Sequence, residues 1–155
     1  MNPALLREAI RLSAEQAGHN EGGPFGAVIV RHEQIIGRGW NRVTSTNDPT
    51  AHAEIVAIRD ACSRLKSFSL AGCEIYSSCE PCPMCLSAIY WSRLDRIYYA
   101  ATRDDASTIG FDDGNFYLEL TKPVSERSIP MEKALSEEAC VALQAWLRKE
   151  DRIRY

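Results

Sequence analysis

The chain has 155 residues, of which 45% are hydrophobic and 25% are charged, and its formal net charge is −3. This length suits one globular domain whose core needs no disulfide or structural metal for stability. The small excess of acidic residues argues against a nucleic-acid-binding protein, which usually carries a strongly basic face.

The N-terminal stretch MNPALLREAIRLSAEQAG predicts an amphipathic helix, with Leu5, Ala9 and Ile10 on its apolar stripe. Its charged residues interrupt the apolar run that a signal peptide or a membrane-spanning helix requires. We therefore expect a cytoplasmic protein without membrane partners. In that compartment the six cysteines would stay reduced.

The next segments alternate between loop, strands and helix. GHNEGGPFG predicts a glycine-rich loop, and AVIVRHEQIIGRGW predicts a β-hairpin with its polar break at His32 to Gln34. From Ala51 onward, Ile55, Ile58 and Leu65 recur at the spacing of one buried helical face.

The second half continues as strand, helix, strand and helix. CEIYSS and RIYYAA predict strands on either side of the helix PCPMCLSAIYWS, and a strand–helix–strand unit implies parallel pairing. A loop-rich region to about Ile129 precedes a C-terminal helix, LSEEACVALQAWLRKE, with Ser136 as its N-cap. This order predicts an α/β fold with helices on both faces of a central sheet.

The stretch SSCEPCPMC places three cysteines at intervals of three residues. Cys82 and Cys85 would share one face of a helix whose N-terminus favours thiolate. An iron–sulfur cluster would need a fourth cysteine soon after Cys85, and the next is Cys140. We interpret Cys79, like Cys140, as a small core residue.

His52 is the candidate for the third metal ligand beside these two sulfurs. His19 and His32 lie in a predicted loop and turn, whereas TAHAE places His52 at a helix start with Glu54 two residues later. Three protein ligands and one open position are typical of catalytic zinc, and an adjacent carboxylate can carry protons. A zinc site that only holds the fold together remains the alternative.

HAE followed by PCPMC matches the H-x-E…P-C-x-x-C signature of zinc nucleobase deaminases. The chain resembles the cytidine-deaminase-like superfamily over nearly its whole length. The resemblance implies a single domain, residues 1–155, folded as a three-layer α/β/α sandwich with a central five-stranded mixed sheet. It also implies that His52, Cys82 and Cys85 bind one zinc ion and that Glu54 is the proton shuttle.

The DPTAHAE run is shared by two subfamilies and does not separate them. The segments ATRDDASTIGFDDGNFYLEL and KPVSERSIP, the ending DRIRY and the acidic character resemble bacterial guanine deaminases. The resemblance implies hydrolysis of guanine to xanthine and ammonia, by a zinc-activated water and a glutamate proton shuttle. A tRNA-specific adenosine deaminase is the alternative.

The same resemblance implies the substrate contacts. Asn41 and Asp113 would bind the base, and Asp113 would also assist the departure of ammonia, although Asp112 stands beside it in the same motif. Phe25 and Trp91 would pack against the purine. From the residues alone, Asn41 at a strand end is also typical of a turn, and aromatics such as Phe25 and Trp91 are more often core residues than ligand contacts.

The C-terminus carries the last implied feature. In the guanine deaminases that the chain resembles, a C-terminal tyrosine closes the site of the partner subunit in a domain-swapped homodimer. Tyr155 matches that tyrosine, and the exchanged segment would be about 122–155. A terminal tyrosine without such a partner would usually be frayed.

Overall fold

The computed structural model describes residues 1–154. The chain divides into two units, residues 1–114 and the segment from Asn115 onward. No helix formed by residues 1–154 is long and apolar enough to cross a lipid bilayer. The first unit contains α1 (Pro3–Gly18), β1 (Gly26–Arg31), β2 (Gln34–Trp40), α2 (Val43–Thr46), α3 (Ala53–Leu65), β3 (Glu74–Cys79), α4 (Pro83–Trp91), β4 (Arg96–Ala101) and α5 (Arg103–Ser107).

The sheet of the first unit is mixed, with the strand order β2-β1-β3-β4. β1 pairs antiparallel with β2 and β3, and β3 pairs parallel with β4, so the predicted hairpin and the predicted parallel unit are both confirmed. The hairpin turns at His32 and Glu33, whose φ angles of 49° and 61° give the left-handed conformation of a tight two-residue turn.

Helices cover both faces of this sheet because side chains alternate along each strand. Ala27 and Ile29 of β1 belong to the core cluster on the α3 and α4 side. Val28 and Val30 belong to the cluster that α1 covers with Leu5 and Leu12. The predicted α/β arrangement, with a sheet between two layers of helices, is therefore present in the first unit.

The predicted fifth strand is wrong for residues 1–154, where the sheet has four strands. Directly after β4, Thr102 Oγ1 accepts a hydrogen bond from the Asp105 backbone N–H, and Asp105 Oδ2 accepts one from the Thr102 N–H. This capping box starts α5 and ends the extended chain. The following segment then forms a further helix, so no extended stretch remains to pair with β4.

The second unit contains α6 (Gly114–Thr121), a 3₁₀ turn (Val124–Glu126) and α7 (Ser136–Arg148). Ser136 is the first helical residue and Leu135 is the N-cap, so the predicted cap is wrong by one position. Cys140 is exposed, which corrects its interpretation as a core residue. The apolar side chains of α7 that are exposed in the chain are Val141, Leu143, Trp146 and Leu147.

Close packing of β2 on α3 fixes where α3 begins. A Cβ atom on Gly39 would lie 2.1 Å from the Ala53 carbonyl oxygen and 2.4 Å from the Ala57 nitrogen. Only glycine allows the strand to lie this near the helix backbone. His52, the residue immediately before α3, is thereby held at a defined place beside the sheet.

We expect Gly39→Ala to lower the free energy of unfolding by about 3 kcal/mol or more, since the added methyl group meets rigid backbone. The matched control is Gly18→Ala, where a new Cβ has no atom within 4 Å. That control should stay within about 1 kcal/mol of the parent protein. Urea denaturation measures both, and equal stabilities of the two variants would contradict the close-packing account.

Candidate functional site

Two helices begin at the same place, and each has a predicted ligand as its N-cap. His52 caps α3 with φ −67° and ψ 157°, and Cys82 caps α4 with φ −64° and ψ 168°. Neither side chain makes a capping hydrogen bond to its own helix, so both are available elsewhere. α4 begins at Pro83 and not beside Pro81, which corrects the predicted helix start.

The imidazole and the two sulfurs converge. His52 Nδ1 lies 3.6 Å from Cys82 Sγ and 3.5 Å from Cys85 Sγ. The three ligand atoms lie within 4.8 Å of one another, and no further histidine, cysteine or acidic residue in 1–154 joins them. Cys79 is buried, with its Sγ donating to the Thr102 carbonyl oxygen at 3.4 Å, so its interpretation as a core residue is confirmed.

The chemistry of this donor set fits a zinc ion. A hydrogen bond with the neighbouring Cys85 side chain lowers the pKa of Cys82 to about 4. The same hydrogen bond, together with burial, raises the pKa of Cys85. Hydrogen bonding to Cys82 raises the pKa of His52. A divalent cation bound between the two sulfurs would displace their protons and make both of them thiolates. One imidazole and two thiolates form a known catalytic zinc ligand set.

Glu54 lies beside these residues without belonging to the donor set. The residue is 6% exposed, and Oε1 accepts a hydrogen bond from the Ser77 hydroxyl at 3.4 Å. Burial raises the pKa of Glu54. A raised pKa suits a carboxyl group that must hold a proton and then return it during a reaction.

Asn41 is held firmly by the glycine-rich loop. Its side chain is buried, and Oδ1 accepts hydrogen bonds from the backbone N–H groups of Gly23 and Val43, both at 3.2 Å. A Cβ atom on Gly22 would lie 2.5 Å from Asn41 Oδ1, so the loop needs glycine to come this close. These two hydrogen bonds occupy the amide oxygen, so the amide nitrogen is the group that can donate to a ligand.

Backbone hydrogen bonds connect Asn41 to the residues next to the metal ligands. The Asn41 N–H donates to the Phe25 carbonyl at 3.0 Å, and the Arg42 N–H donates to the Ala51 carbonyl at 2.9 Å. Ala51 directly precedes His52. Phe25, Asn41 and His52 therefore lie in neighbouring stretches of backbone.

Phe25 has an aromatic partner that sequence reasoning missed. The ring of Phe111 packs against it edge to face, with centroids 4.8 Å apart and an interplanar angle of 89°. Phe111 is part of the GFDD stretch, so the motif itself was the signal that could have identified it. The pair brings the GFDD segment to the glycine-rich loop.

The two aspartates of GFDD differ in their surroundings. Asp112 Oδ1 accepts a hydrogen bond from the Gly114 N–H at 3.0 Å, as in an ordinary Asx turn. Burial and the charge on Cys82 raise the pKa of Asp113, and Asp113 in turn raises the pKa of His52. Which of the two aspartates would contact a base stays a prediction.

One predicted residue is not brought to this place, and another lies outside the described residues. Trp91 is the last residue of α4, at the opposite end from Cys82, and it is 63% exposed with the Arg93 guanidinium 5.9 Å from its ring centroid. Its contact with a purine stays a prediction. Tyr155 lies outside the described residues, so its predicted role stays untested as well.

Comparison with known protein families gives one matching family over most of the first unit. Residues 2–101 match the model described as the cytidine and deoxycytidylate deaminase zinc-binding region. This range includes the histidine, both cysteine ligands and Glu54. The match therefore covers the whole donor set described above.

Individual relatives extend the similarity further. The chain is 50% identical to a guanine deaminase of Bacillus subtilis over 142 residues, which cover 92% of this chain and 91% of that protein. A tRNA-specific adenosine deaminase of Buchnera aphidicola is 45% identical over 92 residues, covering 59% of this chain and 61% of that protein. The X-ray structure of guanine deaminase from Bacillus subtilis superposes with a TM-score of 0.97 at 47% identity, covering 100% of this chain and 99% of that one.

Proposed function

The chain belongs to the cytidine and deoxycytidylate deaminase family, and from that premise we propose that it hydrolyses guanine to xanthine and ammonia. The observation that carries this proposal is the combination of sequence identity and the share of the chain that each relative covers. The guanine deaminase is 50% identical over 92% of the chain, whereas the tRNA-specific adenosine deaminases of Buchnera aphidicola and Haemophilus influenzae are 45% identical over 59% and 38% identical over 77%.

His52, Cys82 and Cys85 are the residues that would hold the zinc ion. Zinc bound by three protein ligands supplies an activated water, whose pKa it lowers from 15.7 in bulk to about 7. Because α3 and α4 both begin here, their N-termini favour negative charge that develops during the reaction.

Glu54 carries the protons in this proposal. Its carboxylate accepts a proton from the attacking water as the new C2–O bond forms, and delivers that proton to N3 of guanine. Glu54 then takes the remaining hydroxyl proton and passes it to the exocyclic amine. The C2–N bond breaks, ammonia leaves with Asp113 assisting its departure, and the C2 carbonyl of xanthine forms.

The base would be held by groups of opposite hydrogen-bonding character. The Asn41 amide nitrogen would donate to an acceptor of the purine, and the Asp113 carboxylate would accept from one of its N–H groups. The Phe25 and Phe111 rings offer an apolar surface for the flat ring. A site of this kind discriminates against bases that lack the matching donors and acceptors.

Ultraviolet spectroscopy of free guanine turning into xanthine tests the proposed reaction. The zinc-loaded protein should convert guanine, and should leave the adenosine of a tRNA anticodon stem-loop unchanged. Inosine formed in the stem-loop with free guanine untouched would replace this proposal by the tRNA alternative. Turnover of neither substrate would support a non-catalytic zinc module.

Ser77→Ala is expected to lower kcat roughly tenfold, because Glu54 loses the hydrogen bond that orients its carboxylate. KM and zinc content should change by less than about twofold, since the hydroxyl contacts neither ligand nor substrate in this scheme. Ser87→Ala is the matched control, because the Ser87 hydroxyl donates only to the Pro83 carbonyl within α4. Equal kcat values for the two variants would argue against orientation by Ser77.

We further propose that both units form one deaminase domain of residues 1–155, and that residues 122–155 are exchanged in a homodimer. Two surfaces support this. β4 is an edge strand with half-exposed or exposed residues along its length, and α7 has exposed apolar side chains. In a two-fold dimer each copy could cover the corresponding surface of the other. Tyr155 would then meet the purine from the partner's side.

Coexpression of two impaired variants tests the exchange. A chain with Glu54→Gln and a chain with Tyr155→Ala would form mixed dimers, in which one site keeps its own Glu54 and receives an intact Tyr155. Random pairing of exchanged dimers should restore about a quarter of the parent activity, beyond the sum of the two variants. Activity equal to that sum would place Tyr155 in its own chain's site or outside catalysis.

The cytoplasm is the compartment that we propose. All six cysteines are free thiols, and Cys140 is exposed. Thiols in this state are typical of proteins in a reducing compartment.

A further inference from the structure

A closed loop joins the proposed base-binding residue Asn41 to the metal ligand His52. The Arg42 N–H donates a hydrogen bond to the Ala51 carbonyl oxygen at 2.9 Å, which brings the two ends of residues 42–51 together. Ala51 is buried, and the residue after it is His52, from which α3 starts. The conformation of this loop therefore decides where the backbone of His52 lies.

Asp48 organises the turn that precedes His52. Its Oδ1 accepts hydrogen bonds from the Thr50 backbone N–H at 2.8 Å and from the Thr50 hydroxyl at 2.7 Å, as in an Asx turn. The Asp48 carbonyl oxygen accepts from the Ala51 N–H at 3.0 Å, and the Thr50 carbonyl oxygen accepts from the His52 N–H at 2.8 Å. Every backbone N–H from Thr50 to His52 is thus bonded within this turn.

The neighbours of Asp48 hold it in place for this task. Asn47 ends α2 in the left-handed conformation, with a φ angle of 52°. The backbone N–H groups of Asn47 and Asp48 both donate to the Val43 carbonyl oxygen. Pro49, the next residue, has a φ angle that its ring restricts to about −65°. The Asp48 carboxylate consequently starts from a defined backbone position.

The partners of Asp48 are mainly the two Thr50 donors. Hydrogen bonds from the Thr50 hydroxyl and backbone N–H lower the pKa of Asp48, so its carboxylate is an ionised acceptor at neutral pH. Arg59 Nη1 lies 3.5 Å from Oδ2, and its side chain is 61% exposed, so this ion pair is weak. Asp48 is not part of the metal donor set. Any effect of Asp48 on the metal site would pass through the backbone of the turn.

We propose that Asp48 is a positioning residue for the zinc site, which acts by ordering the turn that carries His52. A ligand whose backbone is already ordered loses less conformational freedom when the metal binds, so the affinity for zinc is higher. His52 has most to gain from such ordering, because it precedes the first turn of α3 and makes no capping hydrogen bond to that helix. The proposal rests on the zinc site of the proposed function and does not require guanine to be the substrate.

Competition between the full-length protein and a chromophoric zinc chelator tests the proposal without any substrate. Asp48→Ala should bind zinc about tenfold more weakly than the parent protein, because the Thr50 donors lose their acceptor. Asp48→Asn keeps an oxygen that can accept both hydrogen bonds, and should stay within about threefold of the parent affinity. An asparagine variant as weak as the alanine variant would overturn positioning by these hydrogen bonds.

Asp60→Ala is the matched control for a general loss of stability. Asp60 also joins a backbone N–H and an arginine, since it accepts from the Arg38 N–H at 2.9 Å and from Arg64 Nε at 2.9 Å. Its loss should leave the zinc affinity within about twofold of the parent protein. Equal zinc affinities of Asp48→Ala and Asp60→Ala would overturn the proposal. Absence of guanine turnover by the parent protein would contradict the proposed function and leave the zinc affinities unaffected.

Discussion

Glu54→Gln should lower kcat for guanine by about 10³-fold or more, since an amide of the same shape cannot accept and return a proton. The carboxylate is buried, and its pKa is raised by that burial, so the amide is an acceptable neutral replacement for folding. We expect about one zinc per chain to remain, because Glu54 is not a ligand. Steady-state kinetics and metal analysis of the same sample measure both quantities.

Glu74→Gln is the control for this substitution. Glu74 is the first residue of β3, and its Oε2 accepts a hydrogen bond from the Tyr76 hydroxyl at 3.2 Å. Its variant should retain the parent kcat within about twofold. A Glu54→Gln protein that keeps more than about a tenth of the parent rate would remove Glu54 from the proton path.

Loss of either cysteine ligand should abolish both metal binding and activity. In Cys82→Ala or Cys85→Ala, only two of the three donors remain. We expect zinc content to fall from about one per chain to less than about a tenth after dialysis. The thermal midpoint should fall too, because the bound metal stabilises only the folded state.

Cys79→Ala is the matched control, since Cys79 belongs to the same SSCEPCPMC stretch and contacts the Thr102 carbonyl. We expect it to lose some stability through its small buried cavity and to keep its zinc. Zinc lost equally from the Cys79 and Cys82 variants would mean that the donor set is wrong.

The ligand set could be predicted because it depends on residue types at fixed spacing. The fold then places each residue by one local feature: α3 begins directly after His52, and α4 begins directly after Cys82. Both starts lie near the carboxyl end of β3, which is where α/β folds commonly place their sites. The sequence pattern contained that information.

Features that depend on long-range packing could not be predicted. The burial of Glu54 and its hydrogen bond with Ser77 join residues from α3 and β3 that are far apart in sequence. The Phe25–Phe111 pair has the same character. The predicted fifth strand is absent from residues 1–154 for a local reason, the capping box at Thr102. We predicted that strand from the resemblance to known deaminases and not from this local signal.

Zinc K-edge X-ray absorption of the loaded protein tests the central claim, a three-ligand metal site with an open fourth position beside Glu54. We predict two sulfur neighbours at about 2.3 Å and two nitrogen or oxygen neighbours at about 2.0–2.1 Å, one of them exchangeable solvent. A shell with three sulfurs, closed by Cys79, would contradict the account.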